Sequence, residues 1–258
     1  MSEQGLPKKR LGQHFLKDPN TARIVASGIM RDDVVLEVGP GRGFLTTFLA
    51  ERAALVHAVE LDPDVLPRLH EAIGARDNVI VHEGDALRFG YSALDPAPNR
   101  LAANLPYNVA SPLVLRLLEE VESLRTLRFM VQLEVARRMV AERGSKDYAA
   151  YAVLAQLLAC VSISHRVPPT VFDPPPRVSS AVVEMGRREP PKDYKGIKRL
   201  VLGAFRSRRK RLVNNLPEPA RAAAPGVLES LGYGLNARAE ELAPEDFVAL
   251  YATISWAL

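Results

Sequence analysis

Val34-Val35-Leu36-Glu37-Val38, then Gly39-Pro40-Gly41-Arg42-Gly43, then an apolar stretch from Phe44 to Arg52: this succession decides how the chain is read. Four aliphatic residues around one Glu make a short strand. Three glycines in the next five positions make a turn whose backbone can approach a ligand closely. The stretch from Phe44 to Arg52 reads as a helix. The same order recurs downstream. Leu55-Val56-His57-Ala58-Val59-Glu60 is a second strand, followed by a helix from about Pro63 to Ile73. Val79-Ile80-Val81-His82 is a third strand, ending before Gly84-Asp85. Arg100-Leu101-Ala102-Ala103 is a fourth, ending at Asn104-Leu105-Pro106-Tyr107. Ser111-Pro112 opens another helix, and Phe129-Met130-Val131-Gln132 reads as a fifth strand. This alternation specifies an α/β fold, a Rossmann-like doubly wound parallel sheet. Such sheets take ligands at the carboxyl ends of their strands.

Working outward, Asp18-Pro19 reads as the N-cap and first residue of a helix running through Ile24, Val25 and Ile29. Pro168-Pro169 and Pro174-Pro175-Pro176 pin a loop, closed by a strand at Ala181-Val182-Val183. After Pro190-Pro191 the pattern changes to short helices, including Ile197–Phe205 and Pro244–Ile254. Two domains are expected: residues 1–190 with the sheet and a basic N-terminal arm, and residues 191–258, small, all-α and basic.

The composition is that of a soluble globular chain: 258 residues, 47% hydrophobic and 25% charged. A single cysteine, Cys160, excludes an intrachain disulfide framework and a cysteine-based zinc site, and no metal site is expected. Cys160 lies in the run Leu157-Leu158-Ala159-Cys160-Val161 and is expected as a buried thiol. The start is polar and basic, without the apolar core of a secretory signal, and no apolar stretch approaches a membrane span, so a cytoplasmic protein is expected. The net charge of +4 is unevenly spread. Residues 1–31 carry +4, residues 187–211 carry +9, and the remainder is acidic. Dense like charge repels itself without a polyanionic partner. Lys8, Lys9 and Arg10 at one end, with Arg206, Arg208, Arg209, Lys210 and Arg211 at the other, are therefore the candidate nucleic-acid contacts.

Glu60 closes the second strand twenty-one residues after Gly39. A carboxylate there can accept ribose hydroxyls, which fits either NAD or S-adenosylmethionine. Three features favour the latter. The turn lacks the G-x-G-x-x-G spacing of a dinucleotide site. Pro40 removes an amide that a pyrophosphate would use. Asp85-Ala86, after the third strand, places a carboxylate where it can accept an adenine amine.

Asn104-Leu105-Pro106-Tyr107 carries most of the remaining information. It resembles the signature of methyltransferases that act on exocyclic amines, in the variant seen in rRNA adenine N6-dimethyltransferases. Gly12-Gln13-His14-Phe15-Leu16, Val38-Gly39-Pro40-Gly41, Glu60-Leu61-Asp62, the run from Phe172 to Val183 and Ala204-Phe205-Arg206-Ser207-Arg208-Arg209-Lys210 extend the likeness. From Lys8 to Leu258 the chain resembles the KsgA-type small-subunit (16S) rRNA dimethyltransferases. That resemblance implies S-adenosyl-L-methionine as cofactor, held by His14, Leu16, Gly39, Gly41, Glu60, Leu61, Asp85, Ala86 and Asn104. It implies that Asn104 and a backbone carbonyl at Leu105 or Pro106 hold the adenine amine, with Tyr107 stacked on one face of the base and Phe172 on the other. It implies 16S rRNA in the assembling 30S subunit as partner, two adjacent adenosines as substrate, each dimethylated, no membrane, and a monomer. Many relatives have Asn where this chain has His14. Three other readings stand beside this one: a large-subunit rRNA methyltransferase of the Erm type, a non-catalytic nucleic-acid-binding assembly or transcription factor of the same family, and an NAD dehydrogenase, disfavoured by the turn spacing.

Overall fold

Each apolar run becomes a strand, and those in the middle of the sheet are covered on both faces. The computed structural model describes Lys8 and residues 12–255. Its elements are β1 (Phe15–Leu16), α1 (Pro19–Val25), β2 (Val34–Val38), α2 (Phe44–Ala50), β3 (Leu55–Glu60), α3 (Leu66–Ile73), β4 (Val79–Glu83), β5 (Arg100–Asn104), α4 (Ala110–Glu120), β6 (Thr126–Gln132), α5 (Leu133–Met139), α6 (Ala150–Leu158), β7 (Ala159–Val167), β8 (Phe172–Asp173), β9 (Ser180–Arg187), α7 (Tyr194–Ala204), α8 (Ala220–Ser230) and α9 (Pro244–Ile254). Among the described residues no helix is long and apolar enough to cross a membrane.

Seven strands form one sheet in the order β4-β3-β2-β5-β6-β9-β7, and β1 pairs separately with β8. From β4 to β6 all neighbours are parallel, with Val34 beside Leu55, Val56 beside Val79 and Asn104 beside Met130, whereas β9 runs antiparallel to β6. The chain winds outward from β2 to β4 and then returns to the other side of β2. That reversal opens a crevice between the carboxyl ends of β2 and β5. Val35, Val56, Ala102, Met130 and Val182 pack in one cluster with Ala22 and Val25 of α1 and Leu45 and Leu49 of α2. The alternate residues Leu36, Leu101, Phe129 and Val131 are buried too, which is why these strands read as unbroken apolar runs.

The five parallel strands are the doubly wound sheet expected. β7, β9 and the β1–β8 pair add to it. Asp18 caps α1 as expected, accepting the Thr21 amide at 2.7 Å. The helix stops at Val25 rather than reaching Ile29, because Gly28 takes a left-handed φ of 77° and turns the chain away. The buried environment expected for Cys160 is a correction: the residue is exposed. Helix α6 ends at Leu158 and strand geometry begins at Ala159. The side-chain period changes there from 3.6 to 2, so Cys160 points outward, its Sγ accepting Arg188 Nε–H at 2.9 Å.

The chain divides into two compact units. One holds the residues through Ala136 with Val161–Arg187, the other Arg137–Cys160 with Arg188–Leu258. The boundary expected after residue 190 lies at 187/188, but residues 137–160, expected in the first domain, belong to the second. The reason is the composition of α6. Ala152, Val153, Leu154, Ala155, Leu157 and Leu158 are all buried, so the helix is apolar nearly all round and needs other helices on more than one side. α7 and α9 supply them. In the same unit Tyr148 donates to the Leu242 carbonyl at 2.8 Å. A Cβ at Gly196 would fall 1.9 Å from the Tyr251 hydroxyl, so only glycine fits on α7 where Tyr251 of α9 approaches.

Candidate active site

The carboxyl ends of β2, β3, β4 and β5 open into a cleft that is partly open to solvent. His14, Leu16, Gly39, Gly41, Glu60, Leu61, Asp85, Ala86 and the four residues Asn104 to Tyr107 all line it. The structure thus brings together every residue expected to hold the cofactor, along with the tetrapeptide.

Gly39 and Gly41 have φ of 71° and 56°, in the left-handed region that favours glycine. A Cβ on Gly39 would lie 3.3 Å from the Pro106 ring, and one on Gly41 would lie 2.9 Å from the Phe15 ring. The two bare backbones therefore fit directly beneath the tetrapeptide and the N-terminal segment. Glu60 holds this turn in place. Its Oε2 accepts the Gly41 amide, and its Oε1 accepts the amides of Leu61 and Asp62, each at 2.9 Å. A carboxylate has about four lone-pair sites, so roughly one remains toward the cleft. Burial pushes Glu60 above the usual carboxylate range, and the three amides oppose that shift. Asp85 has a double use. Its Oδ1 caps the loop by accepting the Leu87 amide at 2.9 Å, while Oδ2 meets only the Arg88 guanidinium, at 4.0 Å.

Asn104 is the last residue of β5. Its Nδ2 donates to the His14 carbonyl at 3.0 Å. That bond fixes which way the amide faces and leaves Oδ1 buried with no hydrogen-bond partner among the described residues. An orphaned buried acceptor is costly unless a ligand completes it. The next acceptors are distinguishable. The Pro106 carbonyl already takes the Val109 amide at 3.2 Å, closing the turn into α4. The Leu105 amide is held by the Met130 carbonyl at 3.1 Å, which fixes the plane of the peptide that follows β5. Tyr107 stacks on His14 with ring centroids 5.4 Å apart and planes inclined by 30°, and its hydroxyl meets Ser180 Oγ at 2.6 Å. His14 Nδ1 lies 2.7 Å from the Pro174 carbonyl. Nδ1 must carry the proton in that contact, so Nε2 is an acceptor in the neutral ring and donates only from the imidazolium.

The N-terminal segment crosses this cleft by bonds at both of its ends. Gln13 Nε2 donates to Asp62 Oδ2 at 2.8 Å, and the Lys17 amide donates to the Val171 carbonyl at 2.9 Å. Arg42 lies over the Phe15 ring at 4.2 Å and pairs with Asp173 at 3.2 Å.

One expected contact is corrected, and two expected cations have carboxylate partners within the chain. Phe172 does not line the cleft. It is fully buried in the cluster with Leu16, Leu45 and Leu49, because its pairing with Leu16 in β1–β8 turns the ring into the core. Lys8 is engaged by carboxylates, Asp62 and Asp64, each at 2.5 Å. Arg208 is held by Glu240 and by the Ser145 carbonyl within the second unit. Arg206, Arg209, Lys210 and Arg211 are exposed. Lys9 and Arg10 lie outside the described residues.

Two residues of the site were passed over in the sequence. Glu37 of β2 lines the cleft, is buried, and has an Oε2 without a partner. Burial pushes its carboxyl up to about 8, with Glu60 adding repulsion; the Thr46 hydroxyl opposes the shift but makes no hydrogen bond of ordinary geometry. Ser180, fully buried at the start of β9, is the partner of Tyr107. A lone acid inside Val-Val-Leu-Glu-Val and a serine opening Ser-Ala-Val-Val were the available signals.

Comparison with known proteins agrees with this geometry. Residues 6–255 match the model of the family described as ribosomal RNA adenine dimethylase. The chain is 72% identical over 250 residues to "Ribosomal RNA small subunit methyltransferase A" of Rubrobacter xylanophilus, covering 96% of this chain and 95% of that protein. Among solved structures it resembles a dimethyladenosine transferase from Plasmodium falciparum, with TM-score 0.81, 25% identity, and 94% and 98% of the two chains covered. It also resembles the 23S rRNA methyltransferase ErmE, with TM-score 0.74, 27% identity, and 93% and 99% covered.

Proposed function

The chain belongs to the ribosomal RNA adenine dimethylase family, and from that premise we propose that it transfers methyl groups from S-adenosyl-L-methionine to N6 of two adjacent adenosines near the 3′ end of 16S rRNA, twice each, during assembly of the 30S subunit. The single observation that carries the chemistry is the buried Oδ1 of Asn104, a residue lining the cleft: it has no hydrogen-bond partner among the described residues, while its Nδ2 is held by the His14 carbonyl.

The residues present fit the cofactor. Gly39 and Gly41 line the cleft with bare backbone, Glu60 keeps an acceptor site that suits a ribose hydroxyl, and Asp85 Oδ2 suits an adenine amine. When bound, S-adenosylmethionine supplies an electrophilic methyl on a sulfonium sulfur. The chain's own task is to make a poor nucleophile attack it. An adenine amine is planar because its lone pair is delocalised into the ring. Asn104 Oδ1 accepts one N–H proton. The Leu105 carbonyl, rather than that of Pro106, accepts the other, since Pro106 is already engaged by Val109. Two acceptors draw the nitrogen toward a tetrahedral shape and aim its lone pair, so catalysis is orientation plus electrostatics. Tyr107 offers the face on which the base stacks, which requires a single-stranded or flipped-out nucleotide. The exposed cations of the second unit contribute phosphate contacts. The reading includes action in the cytoplasm, where ribosomal particles assemble, and as a monomer.

The name of the Rubrobacter relative favours the small subunit, whereas ErmE is a large-subunit enzyme of similar fold. The test is to incubate the protein with labelled cofactor and unmodified small and large subunits separately, then to map the methylated nucleotides by mass. Two dimethyladenosines near the 3′ end of 16S rRNA are expected. Label confined to large-subunit rRNA overturns the substrate, and no label on either overturns the activity.

A further inference from the structure

We propose that Ser180 is a positioning residue for the target base: its buried hydroxyl fixes the direction of the Tyr107 ring axis, and so where the stacked base sets its amine relative to Asn104. The inference deepens the function proposed above and rests on Tyr107 carrying the base.

Stacking alone does not need a hydroxyl, since phenylalanine offers the same aromatic face. The Tyr107 hydroxyl instead reaches Ser180 Oγ at 2.6 Å. Ser180 has no exposed surface, and among the described residues Tyr107 is the partner of its hydroxyl. Burial pushes the Tyr107 hydroxyl up from its ordinary value, so both groups stay neutral and one shares its proton with the other. The two ends of the tyrosine are held by different strands. Its backbone follows β5, three residues after Asn104. Ser180 opens β9, where it lies opposite Gln132 of β6, and β6 in turn lies beside β5 with Met130 next to Asn104. The tyrosine, its hydrogen bond and Ser180 together therefore bridge the end of β6, from the β5 side to β9, about 10 Å of sheet. A ring tethered only at Cβ swings freely about its first torsion; a bond at the hydroxyl, which lies on the ring axis, holds the direction of that axis, and stacking on His14 limits rotation about it.

The rest of the ring's surroundings make this tether decisive. Phe172 lies in the core and offers the base no second aromatic plate. The remaining constraint is His14, which covers one face of Tyr107 and is held by Pro174. A misplaced ring carries the amine off the line set by Asn104, and small errors of this kind cost rate steeply.

The test is a double-mutant cycle read in single-turnover methylation of unmodified small subunits, with Ser180→Ala, Tyr107→Phe, both together, and Tyr107→Ala as reference. Cofactor affinity and melting temperature are measured for each. Either single change removes the same hydrogen bond, so each is expected to lower the rate about tenfold with cofactor affinity unchanged, and the pair no further than one alone. Rates that stay at wild type, or losses that multiply in the pair, overturn the positioning role. If Ser180→Ala fails to fold, Tyr107→Phe decides alone, because it keeps the ring and removes the bond. A wild-type rate in Tyr107→Ala would instead remove the premise that the base stacks there.

Discussion

In the cleft at the ends of β2, β3 and β5 the polar groups are already committed: Glu60 to three amides, Asn104 Nδ2 to His14, and the Tyr107 hydroxyl to Ser180. On the second unit Arg206, Arg209, Lys210 and Arg211 stand exposed on long, mobile side chains. The first arrangement has few options left, and the groups it leaves over, such as Asn104 Oδ1, are aimed. The second is aimed at nothing in particular and attracts any phosphate backbone. A fixed site buys orientation, and so rate; a loose cationic surface supplies affinity that salt can remove. Substitutions in the two regions should separate along that line.

The sharpest separation comes from Asn104→Ala. It removes the orphan acceptor and the bond to the His14 carbonyl. Loss of a single oriented group of this kind costs on the order of 10²- to 10³-fold in rate. Single-turnover methylation should fall by at least that much while binding to the small subunit stays near wild type. Normal turnover would break the comparison, because the cleft would then not depend on its aimed acceptor.

The converse change is Arg206→Ala, Arg209→Ala and Arg211→Ala together. Three lost phosphate contacts should weaken binding and reduce the slope of log affinity against log salt by roughly two, with the rate at saturating RNA retained. Arg208→Ala should behave differently. Its guanidinium is tied to Glu240 and Ser145, so the salt slope should move less and the melting temperature of the unit more. Equal slopes for all four single variants would show that the Glu240 pair does not withhold Arg208 from the RNA.

The same contrast explains what could be read from the sequence. Strand ends are legible because backbone chemistry marks them: Gly39 and Gly41 need left-handed angles, and Glu60, Asp85 and Asn104 interrupt apolar runs where strands stop. All of them reach one cleft because parallel strands share a carboxyl edge. Partnership is not legible in that way. That Lys8 pairs with Asp62 and Arg208 with Glu240 cannot be read locally, because those acids lie far along the chain. Phe172 and Cys160 exchange fates for the same reason. Which face is inside follows from the β1–β8 pairing in one case and from a change of period at Ala159 in the other, and neither is local to the residue. Helix α6 joins the second unit because of what α7 and α9 bury, some forty to ninety residues further along the chain.

Glu37 tests how dry the floor of the cleft is. Burial raises its carboxyl from 4.5 to about 8, so the folded chain keeps this proton over a window in which the unfolded chain has lost it. Unfolding then releases a proton, and rising pH favours it: the contribution to stability is full below about pH 4.5 and is lost as pH rises through 8. Glu60, also raised, acts in the same direction. Thermal melts should therefore show wild-type stability falling between pH 5 and pH 8, and Glu37→Gln should flatten part of that fall. An unchanged pH slope in the variant would mean that water reaches Glu37 and that the floor of the cleft is not dry.

The smallest effect belongs to Phe172, and it bears on where the cleft ends and the core begins. In the cluster beneath β1 the ring touches Leu16, Leu45 and Leu49 and contributes only bulk. Phe172→Leu keeps most of that volume. The change should cost about 1 kcal/mol in chemical denaturation, as a near volume-conserving core swap does. Leu16 lines the cleft from above the same cluster, so cofactor affinity may be used as a local gauge and should shift by less than about threefold. Methylation at saturating substrate should be unaltered, because no aromatic face is withdrawn from the base. A rate that collapses while stability holds would return Phe172 to the site. It would also require β8 to part from β1 when RNA binds, since only then could the ring leave the core and reach the base.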